Sequence, residues 1–578
     1  MGTALHPVNA AAKDGRLLRA AVLVTVAAGL VLPIAAGFLQ TARAGVGVMP
    51  AIGAADVSLA PFVALLDLPG FSTALRLTLL TGFGATALSV MLAVGVCAAM
   101  HGRMSPRDSG RLLTPFLAAP HAAMAIGLAF LLSPSGWIAR ALAPLAGWDR
   151  PPMVATVNDP AGLALIFGLM VKEVPFLLLV ILSALSQIPV RRHLAAGRSL
   201  GYGRGIVWIK VIMPQVWPLI RLPVMVVLAY SLSVVDMALI LGPSNPPTLA
   251  VLLLRLFSSP DIGLMMPASA GALVQAALVA MAFGLLLALD RAGRAIGRWW
   301  VRRGGRGLSA EPGLWIATAL SGILFAAGAL AMLSLLVWSL AWRWPWPGLA
   351  PESWSLNTWT TPGSGWAGAL GNTLILAAAA TALCLVLAIA WLEGEDRARR
   401  GRAGWAEALI YLPLLVPQIG FLFGLNVLFL RLGLSGSYLA VIWAHALFVF
   451  PYVMIALSDP WRALDRQLPR AAASLGAGPW RRLFAVKLPI LLTPLLTATA
   501  IGVSVSVAQY LPTLFMGAGR VATLTTEAVT LSSSSDRRIT GVYATLQAGL
   551  PFAVYGAAFL IPALLHRNRR DLLPGAAA

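Results

Sequence analysis

Apolar residues in this chain come in long continuous blocks, not in alternation with polar ones. Twelve blocks reach the roughly 18–20 residues that cross a bilayer as a helix: near 17–39, 74–99, 112–133, 162–186, 215–241, 264–289, 314–340, 368–392, 406–430, 437–457, 488–515 and 542–565. Backbone polar groups in hydrocarbon must pair within their own segment, so blocks of this length predict helices. The expected class is all-α, a polytopic membrane protein of about twelve transmembrane helices. Thr41-Ala-Arg-Ala44 loosely resembles a signal-cleavage site, but the first block is longer than a signal core and reads as a span.

The chain also matches itself. The second block contains Thr78-Leu79 and then Ala-Thr-Ala-Leu88; the eighth contains Thr373-Leu374 and then Ala-Thr-Ala-Leu383. The third and ninth blocks share a proline and glycine at equal spacing, Pro120 with Gly127 and Pro417 with Gly424. After the fourth block stands Ala196-Gly-Arg-Ser-Leu-Gly201 with Pro214 beyond it; after the tenth, Ala471-Ala-Ala-Ser-Leu-Gly476 with Pro489. Glycine and proline are thirteen residues apart in both copies. Ser231-Leu-Ser-Val-Val-Asp236 parallels Ser504-Val-Ser-Val-Ala-Gln509. Six spans separate the copies, so this is a parallel six-plus-six duplication. We divide it at the basic linker into a first unit, 1–304, and a second, 305–578.

Composition agrees with this reading. Hydrophobic residues make up 59% of the 578 and charged residues only 11%, which excludes an ordinary soluble enzyme. The net charge of +21 suggests nucleic acid until topology is considered. With both termini in the cytoplasm, 30 of the 42 basic residues fall on cytoplasmic segments, 9 on outer loops and 3 within spans. That asymmetry is the positive-inside bias, and it removes the need for a nucleic-acid partner. Cys97 and Cys384 lie in apolar blocks, and His121 and His445 stand alone, so no disulfide framework, metal site or catalytic constellation is expected.

The duplicated loops, 191–214 and 462–489, carry the most information. They are rich in small residues, flanked by arginine, and turned by Gly201 and Gly476, which suits close approach by another protein. This pattern resembles the signature loop of binding-protein-dependent ABC importer permeases of type I. Nearly the whole chain is similar to the fused form of that family, with two permease domains on one polypeptide, as in permeases for ferric iron, thiamine and phosphonates and in the Ynj-type inner-membrane permeases. Asn372-Thr-Leu374 and the prolines ahead of each loop, Pro175 and Pro451, belong to the resemblance.

The resemblance implies a permease subunit in the bacterial inner membrane. It would bind two copies of a cytoplasmic ABC ATPase and receive a solute from a periplasmic binding protein. The ATPase-coupling residues it implies are Ala195, Ala196, Gly197, Gly201 and Pro214, with Arg470, Ala471, Ala472, Gly476 and Pro489. Ala195 and Arg470 stand where the family places glutamate, which leaves the loops basic. ATP and Mg2+ would sit on the partner, and no cofactor on this chain. None of the four lysines follows a glycine, so no Walker A motif exists here. The candidate polar residues within the spans are Lys172, Glu173, Asp236, Gln418, His445 and Gln509. Lys172, Glu173 and Asp236 read either as substrate contacts or as a structural ion pair. The competing class is a major facilitator transporter, also twelve spans in two parallel halves. Its loop signature finds only a loose partial match in 101–111, and the counterpart 393–402 is no better.

Overall fold

A computed structural model describes residues 6–102, 113–304, 311–361, 363, 365–398, 404–534 and 536–565. Most of the 101–111 loop weighed against the facilitator signature, part of the 393–402 loop and part of the linker between the halves lie outside these. Ten helices are long and apolar enough to cross a bilayer, and two bent pairs bring the number to twelve among the described residues. In order they are Gly15–Gly45, Phe71–Met100, His121–Ala146, Leu163–Leu185, Arg204–Ser233, Ile262–Arg302, Glu311–Leu340, Trp366–Arg397, the pair Leu409–Leu415 with Ile419–Arg431, Tyr438–Ala463, the pair Pro479–Ile490 with Leu492–Val507, and Arg537–Leu565. The described strands are one small antiparallel pair, Ala341–Arg343 with Ser353–Trp354.

Several spans differ from the continuous runs that hydropathy predicts. The third is a helix over 113–118, a break at Ala119-Pro120, and a helix His121–Leu132. The ninth bends by 108° before Ile419, beside Pro417. Proline lacks an N–H and disfavours helix in the residue before it, so both breaks follow from the shared proline. The fifth span ends at Ser233, and Asp236–Leu241 is a separate short helix. Asp236 therefore opens that helix and does not lie within the span. The eleventh bends by 78° and ends at Val507, followed by Leu511–Gly517.

These short helices correct the alignment of the halves. Helix starts at Asp236 and Leu511, and at Leu249 and Leu524, are both 275 residues apart. Asp236 thus corresponds to Leu511, and not to Gln509. The serines of each half recur two residues apart, so the sequences also match when slid by two. The shared threonines have a defined task. Thr78 Oγ1 accepts the Leu249 N–H at 2.8 Å, and Thr373 Oγ1 accepts the Leu524 N–H at 2.9 Å. Each satisfies a donor at the start of a buried helix, where no water is at hand.

The halves exchange their first helices. The first span packs on the ninth, where a Cβ on Gly424 would lie 2.0 Å from the Gly37 carbonyl oxygen. The Trp443 indole donates to the Gly29 carbonyl at 2.6 Å. The seventh span packs on the third in the same way. There a Cβ on Gly127 would lie 2.3 Å from the Ala331 carbonyl oxygen, and Ser334 donates to the Gly127 carbonyl at 3.0 Å. Small residues permit this approach, and dispersion between close backbones replaces the hydrophobic effect that lipid cannot supply. We predict that Gly424→Val costs roughly 1–3 kcal/mol, read as a lower thermal midpoint in detergent. Gly284→Val, where a side chain would meet nothing within 4 Å, leaves the midpoint unchanged.

Candidate functional site: two matched loops and a polar interior

The two loops are built alike. A helix Val190–Ser199 ends at Gly201, and a helix Gln467–Ser474 ends at Gly476. Both glycines take the left-handed conformation, with φ of 78° and 82°. The Gly201 N–H reaches the Arg198 carbonyl and the Tyr202 N–H the Gly197 carbonyl; Gly476 and Ala477 repeat this with Ala473 and Ala472. This paired closure is the Schellman motif. It presents a leucine at each apex, Leu200 at 62% and Leu475 at 88% exposure. Ala195, Ala196, Arg470 and Ala471 are exposed beside them. Gly197 is constrained, because a Cβ there would lie 2.3 Å from Val207. In the second copy Ala472 takes its place and Arg482 that of Val207.

Pro214 and Pro489 do not open separate helices. Each follows one π-helical turn, Trp208–Ile212 and Leu483–Lys487, inside a continuing run. The Met213 N–H reaches back five residues to the Trp208 carbonyl, and the Leu488 N–H to that of Leu483. The wider turn accommodates the donor that each proline lacks.

An ion network distinguishes the second loop. Lys487, on the π-turn, binds Glu393 at 2.7 Å and Asp396 at 2.6 Å. Arg397 binds Glu393 at 2.7 Å, and Arg462 binds Glu395 at 3.1 Å. The indoles of Trp391 and Trp461 donate to Glu395 and Asp396. This ties the loop to the end of the eighth span. At the matching positions the first copy has Ile212 and Ala98, and Arg204 instead donates to the carbonyls of Ala98 and His101. Sequence reading missed the network. Its signal was the acidic Glu393-Gly-Glu-Asp396 on an otherwise basic side of the chain.

The candidate polar residues separate into different roles. Lys172 forms no ion pair with Glu173 or Asp236 among the described residues. Its ammonium donates to the carbonyls of Phe116 at 2.7 Å and Ala119 at 2.6 Å. The helical partner of the Phe116 carbonyl would be the N–H at 120, which Pro120 lacks, so Lys172 caps the break. His445 contacts Ser506 at 2.7 Å through Nδ1 and Thr513 at 2.8 Å through Nε2, which makes it a satisfied core residue. Gln418 precedes the ninth span's second helix, half-buried, and Gln509 is buried after the eleventh. Glu173 is buried in the fourth span, Asp236 is half-buried at the start of the short helix after the fifth, and the Tyr230 hydroxyl is buried without a partner among the described residues.

The opposite end of the bundle holds a cavity of about 510 Å³ between Ser135, the Trp338–Trp344 segment and Asp536–Arg538. Arg140, 4% exposed, donates to the carbonyls of Ser135, Pro345, Gly348 and Trp344. Arg537 donates to the hydroxyls of Ser133 and Ser135. Hydrogen bonding from Arg538 holds the Asp536 carboxyl below its ordinary range.

Removing one partner from a buried ion network strands the other charge. Glu393→Ala should therefore lower stability by about 3 kcal/mol in thermal unfolding. The exposed Arg343–Glu352 pair serves as control, and Glu352→Ala should cost about 1 kcal/mol or less.

Comparison with known proteins agrees with this geometry. Residues 395–566 match the family described as the binding-protein-dependent transport system inner membrane component. The inner membrane ABC transporter permease protein YnjC of Escherichia coli is 32% identical over 505 residues, covering 87% of this chain and 91% of that protein. The molybdenum transport system permease protein ModB of Mycobacterium tuberculosis is 30% identical over 214 residues, 35% of this chain and 75% of its own. A putative 2-aminoethylphosphonate transport system permease protein, PhnV of Salmonella typhimurium, is 27% identical over 171 residues, 28% of this chain and 63% of its own. None of these is a facilitator-type transporter. This chain belongs to the binding-protein-dependent ABC transporter permeases and is a multi-pass inner-membrane permease subunit.

Proposed function

We propose that 1–304 and 305–578 act as two permease domains, and that each presents its loop to one copy of a cytoplasmic ABC ATPase. The observation that carries this is the duplicated Schellman turn, with Leu200 and Leu475 exposed at its apices. An exposed leucine on a rigid turn is an anchor for an apolar socket, and the surrounding arginines set the charge that the socket's rim must match. Ala195, Ala196, Gly197 and Gly201 shape the first loop, and Arg470, Ala471, Ala472 and Gly476 the second. Pro214 and Pro489 fix where each loop rejoins its span.

In this reading both termini are cytoplasmic, and ATP and Mg2+ bind the partner. Closure of the ATPase pair draws the loops together and turns the interior from inward-open to outward-open. A periplasmic binding protein then delivers the solute to the opposite end, where the arginine and tryptophan cavity opens. With no glutamate at Ala195 or Arg470, the docking surface is basic and suits an acidic rim on the ATPase.

The test is co-purification with the ABC ATPase co-expressed from the neighbouring reading frame. Leu200→Asp combined with Leu475→Asp should reduce bound ATPase about tenfold or more, the loss of a buried apolar anchor. Arg470→Glu should weaken binding at low salt, with the difference shrinking as salt screens it. Unchanged ATPase recovery from the double leucine variant would overturn the assignment.

A further inference from the structure

We propose that the cavity at the end opposite the loops binds a small solute through a dianionic oxyanion group. This names a substrate class for the entry site and rests on the permease reading. The cavity measures about 510 Å³, a size that suits a small molecule. Both halves line it. Ser135 and Arg140 belong to the first, and Trp338, Trp344 and Asp536–Arg538 to the second. An occupant therefore bridges the halves.

The wall carries two positive charges without counterions. Arg538 and Asp536 cancel, because Nε and one Nη of the arginine reach the two carboxylate oxygens at 3.2 and 3.0 Å. Arg140 and Arg537 have no carboxylate partner among the described residues. Arg140, 4% exposed, donates to four backbone carbonyls. Carbonyls pair its N–H groups but leave its charge uncompensated. Arg537 is half-buried and donates to oxygens of Ser133 and Ser135. Both guanidinium groups reach the same Ser135 carbonyl, Arg140 at 3.1 Å and Arg537 at 3.5 Å, so the two like charges stand side by side. Holding such charges away from water without an anion is costly.

The same wall keeps unused donors. A guanidinium has five N–H groups. Arg537 spends one on the Ser135 carbonyl and two on the hydroxyls of Ser133 and Ser135, which leaves two. The Ser135 hydroxyl accepts from Arg537 and keeps its own O–H to donate. The Trp338 indole N–H is buried without an acceptor among the described residues. Paired positive charge with spare donors is the complement of an oxyanion, whose several oxygens accept charge-assisted hydrogen bonds. A cation would meet two uncompensated guanidinium groups, and an uncharged solute would leave both uncompensated.

The test uses the full-length chain in nanodiscs of zwitterionic lipid, titrated with sulfate by calorimetry at constant ionic strength. Methanesulfonate, of similar shape but with one charge, is the control. Sulfate should bind the wild type at least about tenfold more tightly than methanesulfonate. In Arg537→Gln, sulfate affinity should fall about tenfold or more, since a charge-assisted contact is lost. Arg343→Gln, which removes an exposed arginine paired with Glu352, should leave it unchanged. The ATPase co-purified with each variant is measured in parallel. ATPase retained without sulfate binding rejects this inference alone, and ATPase absent from the wild type rejects the permease reading. If Arg537→Gln loses the ATPase as well, the wild-type preference for sulfate over methanesulfonate decides. The proposal is overturned if the wild type ignores sulfate, if methanesulfonate binds equally well, or if Arg537→Gln retains sulfate affinity.

Discussion

The contact on which the architecture depends is the backbone-to-backbone meeting of exchanged helices at two glycines. At Gly424 and Gly127 the opposing carbonyl oxygens of Gly37 and Ala331 occupy the space a side chain would need. The first span of each half is held in this way by the other half. Neither bundle can separate as a unit, and any motion must carry a foreign helix with it. Motion that keeps these contacts is a rocking of the two bundles about the seam they share.

A second constraint is that no backbone group may go unpaired in hydrocarbon. Each proline that interrupts a span is answered locally. Lys172 takes up the carbonyls left at the Pro120 break, and π-turns accommodate Pro214 and Pro489. Thr78 and Thr373 accept the first donors of two buried helices. These devices accompany breaks in the spans, and two further breaks set Asp236 and Tyr510 at the starts of the short helices that follow the fifth and eleventh spans. Lys172 and His445, polar residues inside the membrane, are both satisfied by the fold.

Much of this was legible in the chain. Twelve apolar blocks and the repeated Gly-to-Pro spacing follow from composition and pattern, and both have their counterparts in the structure. Where a span breaks was not legible. Pro175 and Pro451 sit inside unbroken helices, whereas Pro120 and Pro417 stand at breaks, and only packing distinguishes them. The ion pair, one of the two readings of Lys172, is not formed because its ammonium is taken by the carbonyls at the Pro120 break. The network around Lys487 joins residues 91 to 94 positions apart, a range that local spacing does not reveal.

The most direct test of the account is the distance between the two loop apices during the ATP cycle. Spin labels at Leu200→Cys and Leu475→Cys, with the buried Cys97 and Cys384 replaced, would report it by pulsed electron resonance on the complex with the ATPase. The account predicts that the distance shortens when ATP binds and recovers after hydrolysis. A distance unchanged between the nucleotide-free and ATP-bound states, in a complex that still hydrolyses ATP, would contradict it.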